Sequence, residues 1–393
     1  MAGALDGLRI LDLTRILAGP TCTQLLGDLG AEVLKIENPG TGGDDTRSWG
    51  PPFAESTDGE PTDLSAYFMC ANRNKLSVAV DIATAEGQDT IRALAAECDV
   101  VIENFKPGGL AKYGLDAATM VENDPGLVYC SISGFGQTGP NANKPGYDLM
   151  AQGFGGMMSL TGAPDGEPMK VGVGIADVMC GMYATIGILA ALRHRDKTGE
   201  GQHIDVALVD SQIAWLINEG VNHLTTGELP KRRGNGHPNI VPYQVFATND
   251  GHVIAAVGND SQFRRFCEFL DVAHLADNPL YATNPARIEN RDSLLAKIIP
   301  LLAALPMDDV IAGLEERKVP VGPVQTLDQV FGSDQVKARD MIATIPCEDT
   351  KDGEVRVIGN PLKLSKTPVT YRRPPPHFGQ DTEHVLGEIQ PKR

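Results

Sequence analysis

Residues 171–192 read VGVGIADVMCGMYATIGILAAL, and Asp177 is the one charged side chain among them. Gly172, Gly174 and Ala176 lie just before it, and an apolar helix-like run follows. A carboxylate at the mouth of a helix has two uses. It can cap a helix beginning at Val178, which stabilises by about 1 kcal/mol. It can also act as a nucleophile. A carboxylate attacks amides poorly but suits a thioester, because the thiolate leaves readily and the product is an activated anhydride. That chemistry needs the anion, which a helix N-terminus favours. The small neighbours leave room for an acyl group, so the two uses are compatible at one position.

Six cations sit near expected strand ends: Arg15, Arg47, Arg73, Lys75, Lys106 and Lys112. Each is either a solvated charge or a phosphate ligand. Arg15 and Lys106 are the stronger candidates, since each occupies a Gly/Pro turn. The Asp44-Asp45 pair in TGGDDTR reads as a solvated turn. Gly234, Asn235, Gly236 and His237 open the stretch GNGHPNIVPY. No second ligand stands at metal spacing from His237, so no metal is expected. The stretch reads as a braced loop, or as a mobile loop able to cover an acyl group. The first strand is followed by TRILAGP, not GxGxxG, which weakens a dinucleotide-binding reading. Neither a P-loop nor a GxSxG elbow is present.

The elements that must hold these residues alternate. LRILDLT, AEVLKIE, KLSVAVDI, CDVVIENF and GLVYCSISGFG read as strands. AGPTCTQLLGDLG and ATAEGQDTIRALAAE, the latter capped by a Thr, read as helices. This βαβα order predicts a parallel sheet with ligands beyond the carboxyl ends of its strands. Residues 178–225 look mostly helical. A Gly/Pro/basic break then precedes the hairpin YQVFATNDGHVIAAVG and further helices. The PPP of the tail suits wrapping more than packing. The expected division is 1–225, 226–318 and 319–393.

The 393 residues exceed one ordinary core. Lys and Arg total 34 against 51 Asp and Glu, a net charge of -17. That surface repels nucleic acid and anionic lipid, so an anionic ligand must be caught by local cations. The run YATIGILAAL is too short to span a bilayer, and no membrane partner is expected. The seven cysteines are scattered singly, which fits reduced thiols and a cytoplasmic enzyme.

Together these segments resemble the class III CoA-transferase family, also called CaiB/BaiF, over essentially the whole chain. The segments that carry the likeness include LDGLRILDLTRILAGPTCTQLLGDLGAEVLKIE, NRNKLSVAVD, VVIENFKPGGLAKYGL, GYDLMAQ, GIADVMCGMYATIGILAAL, KTGEGQHIDVAL, GNGHPNIVPY and VPVGPV. The resemblance implies an α/β fold: a Rossmann-like large domain with a parallel sheet built from both chain ends, plus a smaller central α+β domain. It implies two chains interlocked as rings in a homodimer. It places the nucleophile on Asp177, which forms an aspartyl anhydride and then an aspartyl-CoA thioester, with no bound cofactor beyond CoA and acyl-CoA as substrates. It implies CoA contacts from Leu17, Ala18, Val80, Asp81, Ile82, Ala83, Asn104, Phe105, Lys106, Lys112, Tyr147 and Asp148, to which Arg15 is added on its own position. Asn38 replaces the basic residue that follows KIE in formyl-CoA transferase, and GNGHPNIVPY replaces its glycine lid. The expected donor is therefore a longer dicarboxylate such as succinyl-CoA, not formate or oxalate. The alternative enzyme is an α-methylacyl-CoA racemase, but Tyr147 stands where that family has a His, and an ordinary Tyr is a weak base. A non-catalytic CoA-binding protein is the third reading, and the intact Asp177 speaks against it.

Overall fold

The computed structural model describes residues 3–388. A six-stranded parallel sheet is built from β1 (Arg9–Asp12), β2 (Glu32–Glu37), β3 (Lys75–Ala79), β4 (Val100–Glu103), β5 (Val128–Ser133) and β6 (His203–Ala207), in the order β3-β2-β1-β4-β5-β6. Register is set by pairs such as Ile10 with Val33 and Ile10 with Val100. Side chains alternate between two faces. One face puts Ile10, Val33, Val100 and Cys130 against α1 (Ala18–Asp28) and other helices. The opposite face puts Leu11, Leu34, Val78 and Val101 against α2 (Ala85–Ala95), whose Thr84 hydroxyl accepts from Gly87 N–H as its cap. Both faces being covered explains the nearly unbroken apolar strands.

Two further helices matter for the site: α3 (Asp148–Phe154) and α4 (Ile175–Thr198). With 24 residues, α4 outruns the apolar run the sequence marks and is long and apolar enough to cross a bilayer by length and composition. Half of its most apolar window is buried within the protein instead. Its close approach to α1 depends on Gly181, where a Cβ would come 2.5 Å from Ala18 O.

Among the described residues the parallel sheet takes no strand from the C-terminal end of the chain, contrary to expectation. Ile342–Pro346 and Glu354–Ile358 pair with each other as an antiparallel hairpin over a small core with Leu64 and Phe68. The tail instead straps the outer edge of β3. Arg373 O accepts from Asn74 N–H, the Asp381 carboxylate from Ser77 N–H and the Thr382 hydroxyl from Ala79 N–H. Pro374, Pro375 and Pro376 have no N–H to give a ladder, so the tail covers the edge without becoming a strand.

The chain divides into two compact units. The first runs up to Met158, resumes over Lys170–Glu228 and includes the chain from Asp334 on; the second comprises Ser159–Met169 and Leu229–Ser333. The second is α+β. Its antiparallel sheet of Tyr243–Ala247, His252–Ala256 and Val321–Pro323 packs with helices through Phe246, Phe263, Phe266, Ile298 and Leu314. The segment VPVGPV thus belongs to this sheet, paired as Ile254 with Gly322, and the return begins later than the expected residue 319. Residues 159–169 join the second unit through backbone bonds such as Gly234 N–H to Gly162 O.

Candidate active site

Helix α4 begins at Ile175 with Gly174 as its cap residue, so Asp177 is the third helical residue and not the cap that the sequence suggested. The capping is done by Asp148, whose Oδ1 accepts from Ala176 N–H at 2.8 Å. The other Asp148 oxygen accepts from Gln152 Nε2 at 2.8 Å, and Gln152 Oε1 accepts from Val171 N–H at 2.9 Å. Fully buried Gln152 thereby ties α3 to the segment leading into α4. Asp177 itself is half-buried and has no hydrogen-bond or ion partner among the described residues. Burial, then the Asp148 carboxylate, pushes its pKa up to about 7. The helix terminus favours the anion, but desolvation and a like charge outweigh it here. Tyr67 is pushed up to about 12 by burial and then by Asp177, so its phenol stays protonated.

Gly174 marks where these groups converge. A Cβ built on it would lie 3.1 Å from Leu17 Cδ2, 3.7 Å from Asp177 Oδ2 and 3.8 Å from Asp148 Cγ. Leu17 and Asp148, both expected near CoA, are thus brought to Asp177. Ala18 is buried at the start of α1 behind Leu17, and Tyr147 is mostly exposed at the start of α3.

A cleft of about 400 Å³ opens beyond the carboxyl ends of β1 to β4, where a parallel sheet places its ligands. Arg15, Val80, Asp81, Ile82, Ala83, Phe105, Lys106 and Lys112 all line it. Arg15, Lys106 and Lys112 put positive charge on its wall, and Arg15 also pairs with Asp45 at 2.8 Å. Asn104 is absent from the wall. Its Oδ1 accepts from Arg15 N–H at 3.0 Å and its Nδ2 donates to Arg15 O at 2.7 Å, clamping the turn after β1 to the loop after β4.

The cleft floor was not foreseen. Lys35 is fully buried, and its Nζ donates to Asp44 Oδ2 at 2.8 Å and to Thr14 O at 3.1 Å. Asp44, expected in solvent, is 3% exposed and also accepts from Thr46 N–H. Burial alone would raise its pKa, but Lys35 and the Thr46 bonds hold it down at about 2. Three cations considered for phosphate capture are likewise committed inside: Arg47 to Glu37 at 2.7 Å, Arg73 to Asp28 at 2.6 Å and Lys75 to Asp12 at 3.2 Å. The physical reason is that a charge withdrawn from water must be paired, and all three side chains are buried. EVLKIE carried the signal, because a Lys inside an apolar strand requires a buried acid.

Gly234, Asn235, Gly236 and His237 lie in the second unit, where their loop is held by its own contacts. Gly234 has φ 58, a left-handed conformation that suits glycine. His237 N–H donates to Tyr243 O at 2.9 Å, His237 Nδ1 accepts from Asn239 N–H at 3.1 Å, and Arg291 donates to His237 O at 2.8 Å. The His237 ring therefore braces its loop.

Comparison with known proteins gives one family. The model of CoA-transferase family III matches residues 5–382. The succinate–glutarate CoA-transferase of Agrobacterium fabrum is 47% identical over 386 residues, covering 98% of this chain and 96% of that protein. The human succinyl-CoA:glutarate CoA-transferase is 41% identical over 385 residues, covering 98% and 86%. Among solved structures, a CaiB/BaiF family protein from Brucella suis matches with a TM-score of 0.88 at 45% identity, covering 99% of this chain and 100% of that one.

Proposed function

We propose that this chain, which belongs to CoA-transferase family III, carries CoA from succinyl-CoA to a second dicarboxylic acid through the side chain of Asp177. The enzyme class follows from the family. The substrates are our reading, supported by relatives named for succinate and glutarate. One observation carries the nucleophile: Asp177 is the carboxylate at this helix mouth that no hydrogen bond or cation engages, while Asp148 beside it is fully bonded.

In its ionised form Asp177 attacks the thioester carbonyl. The C–S bond breaks, the CoA thiolate leaves and an anhydride joins Asp177 to the succinyl group. The thiolate then attacks the aspartyl carbonyl, which expels succinate and leaves an aspartyl-CoA thioester. The acceptor carboxylate attacks that thioester, the aspartyl C–S bond breaks to release the CoA thiolate, and a second anhydride forms. Thiolate attack on the acceptor's carbonyl releases the new acyl-CoA and restores the Asp177 carboxylate. Thioester energy is conserved at each step, so no ATP is consumed. Arg15, Lys106 and Lys112 suit the phosphates of CoA, and Phe105 with Ile82 gives apolar wall for its uncharged parts. The turn from Arg15 to Leu17 connects this cleft to Asp177.

The assembly we propose is an interlocked homodimer. Exposed Ile186, Ile213, Ile217, Val221 and Leu224 on the first unit support burial against a second copy. Seven unpaired cysteines support a reducing compartment such as the cytoplasm.

Replacing Asp177→Ala tests the reading. Transfer of CoA from succinyl-CoA to glutarate should vanish while CoA binding persists, and borohydride should reduce an Asp177 adduct only in the native enzyme. Full transfer activity without Asp177 refutes it.

A further inference from the structure

The turn that joins the CoA cleft to Asp177 is held against its own preference. Ile16 has φ 73, the left-handed region, where a β-branched side chain crowds its own backbone. Such a conformation persists only where the surroundings over-determine it. Here they do. Thr14 O receives Lys35 Nζ, Arg15 is clamped on both backbone groups by Asn104, and Ile16 N–H points between the two Asp44 oxygens, 3.3 Å from each. The buried Lys35–Asp44 pair therefore grips this turn at two points, on either side of Arg15. The next residue is Leu17, whose Cδ2 is the nearest atom to the open position at Gly174 beside Asp177.

We infer that Asp44, with Lys35 behind it, is a positioning residue for acyl transfer: it keeps Ile16 left-handed and so fixes Leu17 beside the Asp177 carboxylate. A relaxed Ile16 would swing Leu17 away from Gly174 and change the room left for the acyl group. This inference rests on Asp177 being the nucleophile.

The test compares full-length Asp44→Asn, Ile16→Gly and the double variant, with succinyl-CoA and glutarate as substrates. Asp44→Asn should lower kcat by about 100-fold, the size expected for a misplacement of about 1 Å, with a far smaller change in KM for succinyl-CoA. Adding Ile16→Gly should restore most of kcat, because glycine takes φ 73 without strain. A purely structural ion pair predicts no such rescue. If Asp44→Asn does not fold, the uncharged pair Lys35→Met with Asp44→Asn replaces it, since removing both charges together avoids a buried lone ion. An unchanged kcat, a loss lying in KM alone, or no rescue in a folded double variant overturns the inference. Activity retained in Asp177→Ala would bring down the nucleophile instead. An inactive Asp177→Ala with no Ile16→Gly rescue removes the positioning role alone.

Discussion

Asp177 and Asp44 are carboxylates of the same unit, both withdrawn from water, with opposite acidities. Burial and Asp148 push Asp177 up to about 7, whereas Lys35 and the Thr46 bonds overcome burial and hold Asp44 at about 2. Desolvation acts on both, so the partners decide. Asp44 meets a buried ammonium and several N–H and O–H donors, whereas the charge beside Asp177 is another carboxylate, Asp148, and among the described residues no donor bonds to Asp177. The protein has spent donors on Asp44 to build a floor and withheld them from Asp177. An unengaged carboxylate keeps its lone pairs for a substrate carbonyl, and a bonded one does not.

The largest expected contrast is in stability. Asp44→Ala leaves Lys35 charged and unpaired inside the protein, which should cost about 3–5 kcal/mol in denaturant unfolding. Asp177→Ala removes an acid that no donor supports, so at pH 8 its stability should match or exceed the native value. Equal losses at the two positions would erase the distinction between them. The pH dependence carries opposite signs. The folded chain keeps the Asp177 proton up to about 7, whereas the unfolded chain releases it near 3.8, so this group's contribution falls as pH rises across that window. The Asp44 contribution is complete above 3.8 and is lost as pH falls towards about 2.

Next in size is the pH profile of catalysis. For the free enzyme, kcat/KM for succinyl-CoA should climb with pH through a midpoint near the Asp177 value of about 7. Asp148→Asn keeps an oxygen for Ala176 N–H but removes the neighbouring charge, so the midpoint should move down. A midpoint unmoved by that change would assign the whole shift to burial. The smallest effect belongs to the cleft rim. Lys106→Ala and Lys112→Ala should each raise KM for CoA esters by about 2- to 5-fold, as exposed charge pairs do. Added salt should shrink that difference. A rise that ignores salt would mean the lysines act through packing.

The acid of interest and the cleft were legible in the sequence for a physical reason: both depend on local pattern. A lone Asp among small residues at a helix start, and Gly/Pro turns after apolar strands, are features of neighbouring residues. Arg15, Lys106 and Lys112, marked by their place near strand ends, line one cleft together with five residues that the family resemblance added. The misreadings concern groups whose partners lie on other elements of the fold. Asp148 caps a helix 28 positions away, and Asn104 clamps a residue 89 positions away. Asp44 looked solvated because its own neighbours are polar, yet β2 brings Lys35 under it. The tail's prolines told correctly of wrapping, but not that the edge strand β3 was what they would cover.

By itself the sequence determined the strand-and-helix alternation, the lone acid in an apolar stretch at a helix start and the family, because periodicity, turn residues and motif order are properties of consecutive residues. Only the tertiary structure decided which charges face a substrate and which face one another. That choice depends on what each carboxylate meets once water is removed, and burial and partners are settled by how separate elements pack against one another.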